Sequence, residues 1–305
     1  MKRKITPIVD VKKLSVIFGD FYAVRDVSFT VGAGEIFGFL GANGAGKTTT
    51  IRVLCGLLTP SRGTVIIDGV ELKPGNENSI KQRVGYMSQR FTLYDELSVR
   101  ENFDFAASLR QLDKSQYLAQ RDRLLRFIGF DYDLNTLVRN LPGGIKQQVA
   151  LGVALLHDPT VIFLDEPTAG VAPVARQRFW DLIKRLAAQH KTIFVTTHYM
   201  DEAENCDRIA LMRSGELIAV DSPSALKQQV FGKSLYNFTP RGAHATLPPM
   251  EILDMCEPYG RHYHIRFKGD IDAAKQIKKY SKDFEIESIS SSLEDVFIKL
   301  VEGAP

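Results

Sequence analysis

One glycine-rich segment of the chain contains the residue types that bind phosphate groups. The segment GANGAGKT, residues 41–48, matches the pattern G-x-x-x-x-G-K-[ST]. Its glycines allow successive backbone N–H groups to surround phosphate oxygens, and Lys47 can reach the β- and γ-phosphates of a nucleotide. The Thr48 hydroxyl is suited to Mg²⁺. The residues expected to contact the nucleotide here are Gly41, Ala42, Asn43, Gly44, Ala45, Gly46, Lys47, Thr48 and Thr49.

Two carboxylates follow a second apolar segment. Asp165 and Glu166 come directly after TVIFL. A carboxylate at the end of a buried strand beside a phosphate loop can hold Mg²⁺, which makes Asp165 a candidate metal ligand. Glu166 could polarise a water for attack on the γ-phosphate. An acidic pair after a strand is often only a helix N-cap, but the phosphate loop favours the catalytic interpretation.

Two more polar residues follow short apolar strands. His198 comes after TIFVTT, and Gln89 comes after RVGYMS. The histidine could contact the γ-phosphate and orient the attacking water, or it could cap a turn. The amide of Gln89 could reach the metal or the water, or it could be an exposed polar residue. The candidate catalytic residues are therefore Lys47, Glu166 and His198, and the candidate metal ligands are Thr48, Gln89 and Asp165.

The order of predicted strands and helices indicates an α/β fold. GEIFGFL and TVIFLD predict buried strands, while KTTTIRVLCGLL and PVARQRFWDLIKRLAAQ have the apolar spacing of helices. This alternation favours a mainly parallel sheet with antiparallel edge strands. Two short strands are expected within residues 11–31, and a hairpin in RIALMRSGELIAV. Residues 90–158 are expected to form a helical subdomain.

The pattern changes after about residue 232. TPRGAHATLPP is typical of a loop, and the rest predicts strand, helix, strand and helix. We therefore expect domains at residues 1–232 and 233–305, the second a small α+β domain. The apolar face of its last helix is expected to pack on the strands of the same domain. His262 and His264 have no acidic or cysteine partner nearby in sequence, so we expect surface residues.

The composition excludes several classes of protein. The chain has 305 residues, 44% of them hydrophobic, and a net charge of only +3, which does not suit a dedicated nucleic-acid-binding protein. The three cysteines, Cys55, Cys206 and Cys256, form no CxxC pair, so neither a disulfide framework nor a zinc site is expected. No signal peptide or membrane-spanning segment is predicted. These observations favour a cytoplasmic protein.

The order of these motifs resembles that of the nucleotide-binding subunits of ATP-binding cassette (ABC) transporters, over roughly residues 8–230. The resemblance implies a P-loop NTPase that binds ATP and Mg²⁺. It also implies that Gln89 is the Q-loop glutamine, Glu166 the catalytic glutamate and His198 the switch histidine. Phe18 occupies the place of the aromatic residue that stacks on adenine, with Val24 as the apolar residue that supports its ring.

In that family two cassettes meet head to tail and enclose two ATP molecules, each touching the partner's LSGGQ signature. The matching residues here are Leu141, Pro142, Gly143 and Gly144, followed by Ile145. Pro142 replaces the serine and has neither hydroxyl nor N–H. Ala172 replaces an aspartate in a loop that crosses the dimer interface. We expect a competent ATPase that supplies a weakened site in trans, in either a homodimer or a heterodimer.

The C-terminal sequence SSLEDVFIKLV resembles the tails of ABC-2 type drug and polysaccharide exporters. The resemblance implies an integral membrane permease that docks near Phe91–Tyr94, and a position at the inner face of a bacterial cell membrane. An alternative is a soluble ABC ATPase that acts on ribosomes or nucleic acid, although those members usually carry two cassettes or a long coiled coil. A P-loop GTPase or small-molecule kinase would leave the signature and His198 unexplained.

Overall fold

The computed structural model describes residues 7–89, 93–232, 235–242, 245–269 and 271–302, with the backbone alone for residues 301 and 302. Phe91, expected at the membrane docking site, lies outside these ranges. The chain consists of two compact units, Met1–Val220 and Asp221–Pro305. The predicted division lies later, at residue 232. The structure groups residues 221–232 with the second unit because the helix Pro223–Val230 packs on the C-terminal helix Leu293–Glu302.

The first unit alternates strands and helices. Its strands are β1 (Val9–Phe18), β2 (Phe21–Val31), β3 (Ile36–Leu40), β4 (Arg62–Ile67), β5 (Val70–Glu71), β6 (Val84–Met87), β7 (Val161–Asp165), β8 (Thr192–Thr197), β9 (Arg208–Arg213) and β10 (Glu216–Asp221). Its helices are α1 (Lys47–Leu54), α2 (Glu77–Lys81), α3 (Val99–Leu109), α4 (Lys114–Ile128), α5 (Gly143–Ala154), α6 (Pro173–Ala188) and α7 (Met200–Ala203).

These strands form two sheets. The larger sheet has the order β10-β9-β3-β8-β7-β6, and its strands from β9 to β6 run parallel. The two-residue turn after β9 makes β10 an antiparallel edge strand. This arrangement confirms the predicted α/β fold with a mainly parallel core. The two strands predicted within residues 11–31, β1 and β2, are longer than expected. Because β1 also pairs with β4, they belong to a separate antiparallel sheet with the order β2-β1-β4-β5.

The core of the first unit lies between the two sheets and α1. It combines buried side chains of β1, β2 and β4 with those of β3, β7, β8 and α1. Five phenylalanine rings meet at its centre, with neighbouring centroids 4.7 to 6.4 Å apart: Phe29, Phe37, Phe39, Phe163 and Phe194. Burial of each ring stabilises the folded state by roughly 1.5–3 kcal/mol relative to an exposed ring. This packing fixes the parallel strands whose ends carry the polar motifs.

Residues 93–158 are mostly helical, as predicted. Ser98 and Glu101 form a capping box that begins α3, and the Asp113 carboxylate caps α4. Gly129 ends α4 in the left-handed conformation, with φ of 68°. Helix α5 packs on α3, α4 and α6. The helical subdomain therefore holds the N-terminus of α5, where the signature residues lie.

The second unit is a four-stranded antiparallel sheet with helices. Its elements are α8 (Pro223–Val230), β11 (Leu235–Pro240), β12 (Leu253–Tyr259), β13 (His262–Phe267), α9 (Ala273–Tyr280), β14 (Phe284–Ile289) and α10 (Leu293–Glu302). The sheet order is β12-β13-β11-β14. The small α+β domain was predicted, but β11 and β12 were not. Both contain a proline, which is tolerated at the end of β11 and in β12 because β12 is an edge strand.

The expectation that His264 has no acidic partner was wrong. Its Nδ1 lies 2.7 Å from Oδ1 of Asp295, which is fully buried on α10, 31 residues later in the chain. Asp295 also accepts hydrogen bonds from the backbone N–H and hydroxyl of Ser292. A second contact joins Lys299 to Asp254, 2.8 Å apart. As predicted, the helix packs within its own domain, with Leu293 and Val296 buried.

The buried Asp295 should stabilise the second unit. Replacing Asp295 with Ala leaves His264 without its partner and removes the acceptor of the Ser292 N–H and hydroxyl at the start of α10, which we expect to cost about 3–5 kcal/mol locally. Hydrogen exchange of peptides that cover β13 and α10 should accelerate, while the fluorescence of the single tryptophan, Trp180 of the first unit, stays unchanged. Glu285→Ala removes an exposed carboxylate from β14 and serves as the control. Equal exchange in both variants would contradict the assigned role.

Candidate functional site

The predicted functional residues meet at one edge of the parallel sheet. The phosphate loop follows β3, Asp165 is the last residue of β7, and His198 follows β8 directly. Gln89 lies two residues beyond β6. Since these strands are parallel neighbours, their carboxyl ends share one edge, which is where α/β sheets bind ligands. The fold therefore brings together residues that are up to 157 positions apart, from Gly41 to His198.

The phosphate loop is held by the packing of its glycines and by Lys47. A Cβ at Gly41 would lie 2.3 Å from the Met212 carbonyl oxygen, and Gly46 has φ of 100°, so neither position accommodates a side chain. Lys47 is buried, and its Nζ donates to the carbonyl oxygens of Gly41 and Ala42 at 2.7 and 3.1 Å. Burial lowers the pKa of Lys47, while the neighbouring carboxylates of Glu166 and Asp165 oppose that shift.

Asp165 links three elements of the site. Its Oδ1 accepts a hydrogen bond from the Thr48 hydroxyl at 3.2 Å and from the Thr196 hydroxyl at 2.6 Å, and the residue is 3% exposed. Thr48 and Asp165 thus offer adjacent oxygen atoms beside the phosphate loop. Mg²⁺ in nucleotide sites is commonly bound by one or two such protein oxygens together with phosphates. These residues therefore fit Mg²⁺.

Glu166 adopts an unusual backbone conformation at the end of β7. Its φ is 47°, in the left-handed region that costs a non-glycine residue about 1–3 kcal/mol. Its backbone N–H donates to the Thr196 hydroxyl at 2.8 Å. The Oε2 atom accepts a hydrogen bond from Gln89 Nε2 at 2.8 Å and lies 3.4 Å from Nδ1 of His198. The structure therefore places Gln89 and His198 next to the same oxygen atom of the Glu166 carboxylate.

A cleft of about 580 Å³ opens next to these groups. Its lining includes Phe18, Phe21, Ala23, Asn43, Gly44, Ala45, Gly46, Lys47, Thr48, Thr49, Gln89 and Glu166. Phe18 and Phe21 are paired across the β1–β2 turn and are 53% and 65% exposed, so both rings are available for stacking. Phe21 was not predicted. The pairing of residues across the short Gly19–Asp20 turn is the signal that could have found it.

Val24, expected to support the aromatic ring, does not line the cleft. It is fully buried and belongs to the core between the two sheets. Its neighbour Ala23 lines the cleft instead. The reason is the alternation of side chains along β2, which directs adjacent residues to opposite faces.

The signature residues are not part of the lining of this cleft. Pro142 is the N-cap residue of α5, with no side-chain hydrogen bond, and Leu141 is buried. A Cβ at Gly143 would meet no atom within 4 Å, whereas one at Gly144 would lie 2.7 Å from Cβ of Ala175 on α6. Gly143 is thus open, and Gly144 permits close packing of two helices. Ala172, the exposed N-cap residue of α6, also lies outside the cleft lining.

None of the helices within the described ranges combines the length and the apolar composition that a membrane-spanning helix requires. Among the same residues there is no group of three or more His, Cys, Asp or Glu side chains that could hold a metal ion.

The chain matches the ABC transporter family over residues 24–169. It is 42% identical over 222 residues to the "Probable multidrug ABC transporter ATP-binding protein YbhF" of Escherichia coli, a match that covers 73% of this chain and 38% of that protein. It is 33% identical over 305 residues to the "Nod factor export ATP-binding protein I" of Rhizobium leguminosarum bv. viciae, covering 97% of this chain and 96% of that protein.

Solved structures of ATP-binding cassettes are similar to this fold. One, described as an ATP-binding subunit of an ABC transporter, has a TM-score of 0.65 and 30% identity, and the match covers 73% of this chain and 92% of that one. Another, a dimeric post-hydrolysis state of a cassette bound to ADP and Pi, has a TM-score of 0.63 and 25% identity, covering 70% and 98%. The chain therefore belongs to the ABC transporter ATP-binding proteins, a family of ATPases.

Thr196, which was not among the predicted site residues, should be needed for turnover. Thr196→Val keeps the shape of the side chain but removes the hydroxyl that contacts both Asp165 and the Glu166 N–H. We expect kcat for ATP hydrolysis to fall about tenfold or more, since small displacements of catalytic groups have effects of that size. Thr196→Ser should restore most of the activity in a steady-state phosphate-release assay.

The matched control is Thr192→Val at the opposite end of the same strand. Thr192 is 1% exposed and also makes two hydrogen bonds, with Gly32 O at 3.2 Å and Gly34 N at 3.0 Å. This variant should lose stability but retain kcat. Equal losses of kcat in the two variants would show that the effect of Thr196 is not specific to the site.

Proposed function

We propose that this chain is the ATP-binding and hydrolysing subunit of an ABC exporter, which drives a separate membrane subunit through ATP-dependent pairing of two cassettes. The observation that carries this proposal is the Glu166 carboxylate, which contacts Gln89 and lies beside His198 at the edge of the cleft that Lys47 and Thr48 line. The family relationship and the export functions named for the relatives support it.

The cleft can bind ATP through its two ends. Phe18 and Phe21 offer exposed rings on which adenine can stack. The phosphates would lie against the backbone N–H groups of the loop and the N-terminus of α1, which attracts anions. Lys47 would exchange its contacts with the Gly41 and Ala42 carbonyl oxygens for contacts with the β- and γ-phosphates.

Glu166 is the proposed general base for hydrolysis. Its carboxylate can accept the proton of a water that attacks the γ-phosphate. His198 would orient that water and contact the γ-phosphate, and the side-chain amide of Gln89 would contact the phosphate and the metal. Mg²⁺ held by Thr48 and Asp165 would neutralise charge on the phosphate oxygens. Thr196 maintains the distance between the metal ligand and the base by contacting both residues.

The second cassette would cover the cleft with its signature segment. The open N-terminus of α5, at Gly143, is suited to contact the γ-phosphate of the partner's ATP. Because Pro142 lacks the serine hydroxyl and Ile145 replaces the glutamine, this contact would be weaker than in the usual signature. The chain is thus complete for its own ATP but weakened toward the partner's ATP, whether the partner is a second copy or a different cassette.

The membrane subunit would dock beside the Q-loop. Tyr94 is 54% exposed and packs against the partly exposed Phe105 ring of α3, with 4.9 Å between the ring centroids. The adjacent groove has a volume of about 310 Å³ and is lined by Tyr94, Phe105, Leu109 and Arg110 among others. An exposed pair of aromatic rings beside a groove suits a docked helix. Docking here would connect the membrane subunit to Gln89, five residues before Tyr94.

The pairing of cassettes can be tested with Glu166→Gln, which should stall hydrolysis while ATP stays bound. We expect light scattering to show a shift of the full chain from monomer to dimer in the presence of ATP and Mg²⁺. Lys47→Ala, which removes a phosphate contact, is the control and should remain monomeric. ATP binding without a dimer would contradict a homodimer and would require a different cassette or the membrane subunit. Absence of ATP binding would contradict the proposed function itself.

The weakened signature can be tested by restoring the usual residues. Pro142→Ser combined with Ile145→Gln should raise ATPase turnover, because a hydrogen bond to a charged group is worth about 1.5–3 kcal/mol, or roughly ten- to hundredfold. The rate should be measured against protein concentration, since the contact acts between two cassettes. Pro142→Ala removes the ring without adding a hydroxyl. If that variant increased turnover as much as Pro142→Ser, the missing hydroxyl would not be the cause.

A further inference from the structure

Glu202 is a buried carboxylate that the mechanism above does not use. It lies on the single turn of α7, four residues after His198, and is 2% exposed. Its Oε1 accepts a hydrogen bond from the Thr168 hydroxyl at 2.5 Å, and its Oε2 accepts one from the Thr197 hydroxyl at 2.9 Å. One carboxylate therefore joins two threonines that are 29 residues apart in the chain.

A single arginine supplies the opposite charge. Nε of Arg176 on α6 lies 3.3 Å from Oε1 of Glu202. The same guanidinium lies over the ring of Tyr199, 4.5 Å from its centroid, and 3.6 Å from the exposed Asp201. Arg176 thus ties α6 to the segment that carries His198 and Glu202.

The ion pair between Arg176 and Glu202 is not expected to contribute much net stability to the fold. Removing two charges from water costs several kcal/mol, which the attraction between them often only offsets, and apolar residues of similar volume are frequently as stable or more stable. What the carboxylate provides, and an apolar side chain does not, is a fixed direction for two hydrogen bonds. The geometry therefore favours a positioning role.

The two threonines lead to different functional segments. Thr168 begins the turn that leads to Ala172: its carbonyl oxygen accepts from the Val171 N–H at 3.2 Å, and the turn ends where α6 begins. Thr197 directly precedes His198, and its hydroxyl also accepts from the Tyr199 N–H at 2.9 Å. On one side of Glu202 lies the loop 169–172, in which Gly170 and Ala172 are exposed, and on the other lies the histidine beside Glu166.

We propose that Glu202 is a positioning residue that fixes His198 relative to the loop 169–172, so that a second cassette pressing on this loop moves His198 with respect to the Glu166 carboxylate. This inference rests on the proposed roles of His198 and Glu166. Glu202 does not line the cleft in which the nucleotide is proposed to bind. Loss of the link should therefore reduce kcat and leave the KM for ATP nearly unchanged.

The test measures steady-state ATP hydrolysis by the full chain with Glu202→Gln, Thr168→Val and both together. Each single variant should lower kcat about tenfold, with KM within about twofold of the wild-type value, as expected when only the alignment of the reacting groups is affected. The double variant should be no worse than either single variant, because both changes break the same link. Thr168→Ser keeps the hydroxyl and should restore kcat. Asp201→Asn, on the same turn and beside the same arginine, is the matched control and should not change kcat.

A second cycle in the His198→Ala background tests whether Glu202 acts through His198. There, Glu202→Gln should lower kcat no further; an equal additional loss would overturn the inference. So would a wild-type kcat in Glu202→Gln or in Thr168→Val. If Glu202→Gln fails to fold, as judged from its Tm, Thr168→Val and its serine rescue carry the same test. If His198→Ala itself retained full turnover, the proposed catalytic role of His198 would be wrong. The inference about Glu202 would then fail because its premise fails, whatever Glu202→Gln shows.

Discussion

The buried carboxylate of Asp165 is the contact on which the rest of the site depends. Asp165 is the last residue of β7 and is 3% exposed. Its carboxylate accepts hydrogen bonds from the hydroxyl of Thr48 on α1 and from the hydroxyl of Thr196 on β8. A buried carboxylate needs such partners, because an unpaired charge in the interior would be costly. These hydrogen bonds set the separation of α1, β7 and β8, and so the positions of Lys47 and Glu166.

The parts of the site that the sequence predicts are those that local patterns determine. The phosphate loop and Asp165 each stand in a short segment whose strand and helix context is evident from neighbouring residues. Thr196 and Glu202 had no such local signal, and Phe21 had only the short Gly19–Asp20 turn. Thr196 acts through a hydrogen bond across two strands that are 31 residues apart, and Phe21 through its pairing with Phe18 across a turn. Such contacts depend on register, which an apolar pattern alone does not define.

The errors outside the site have the same physical origin. His264 was taken for a surface residue because its partner, Asp295, is distant in sequence and close only after β13 and α10 have packed. Val24, the expected support of the aromatic ring, does not line the cleft, because the alternation along β2 places Ala23 at the cleft and Val24 in the core. The parallel sheet was easier to predict, because strands covered on both faces are apolar without interruption.

The surfaces that a second cassette would meet form one connected structure within the first unit. The signature lies at the N-terminus of α5, and Gly144 allows that helix to approach Ala175 on α6 so closely that a single added methyl group would lie 2.7 Å away. Helix α6 begins immediately after the loop 169–172 and carries Arg176, which contacts Glu202. Because packed helices move as rigid bodies, pressure on the signature would also displace α6. In the proposed pair of cassettes, the departures at Pro142 and Ala172 would weaken direct contacts to the partner's ATP, but they would not remove the contact between Arg176 of α6 and Glu202.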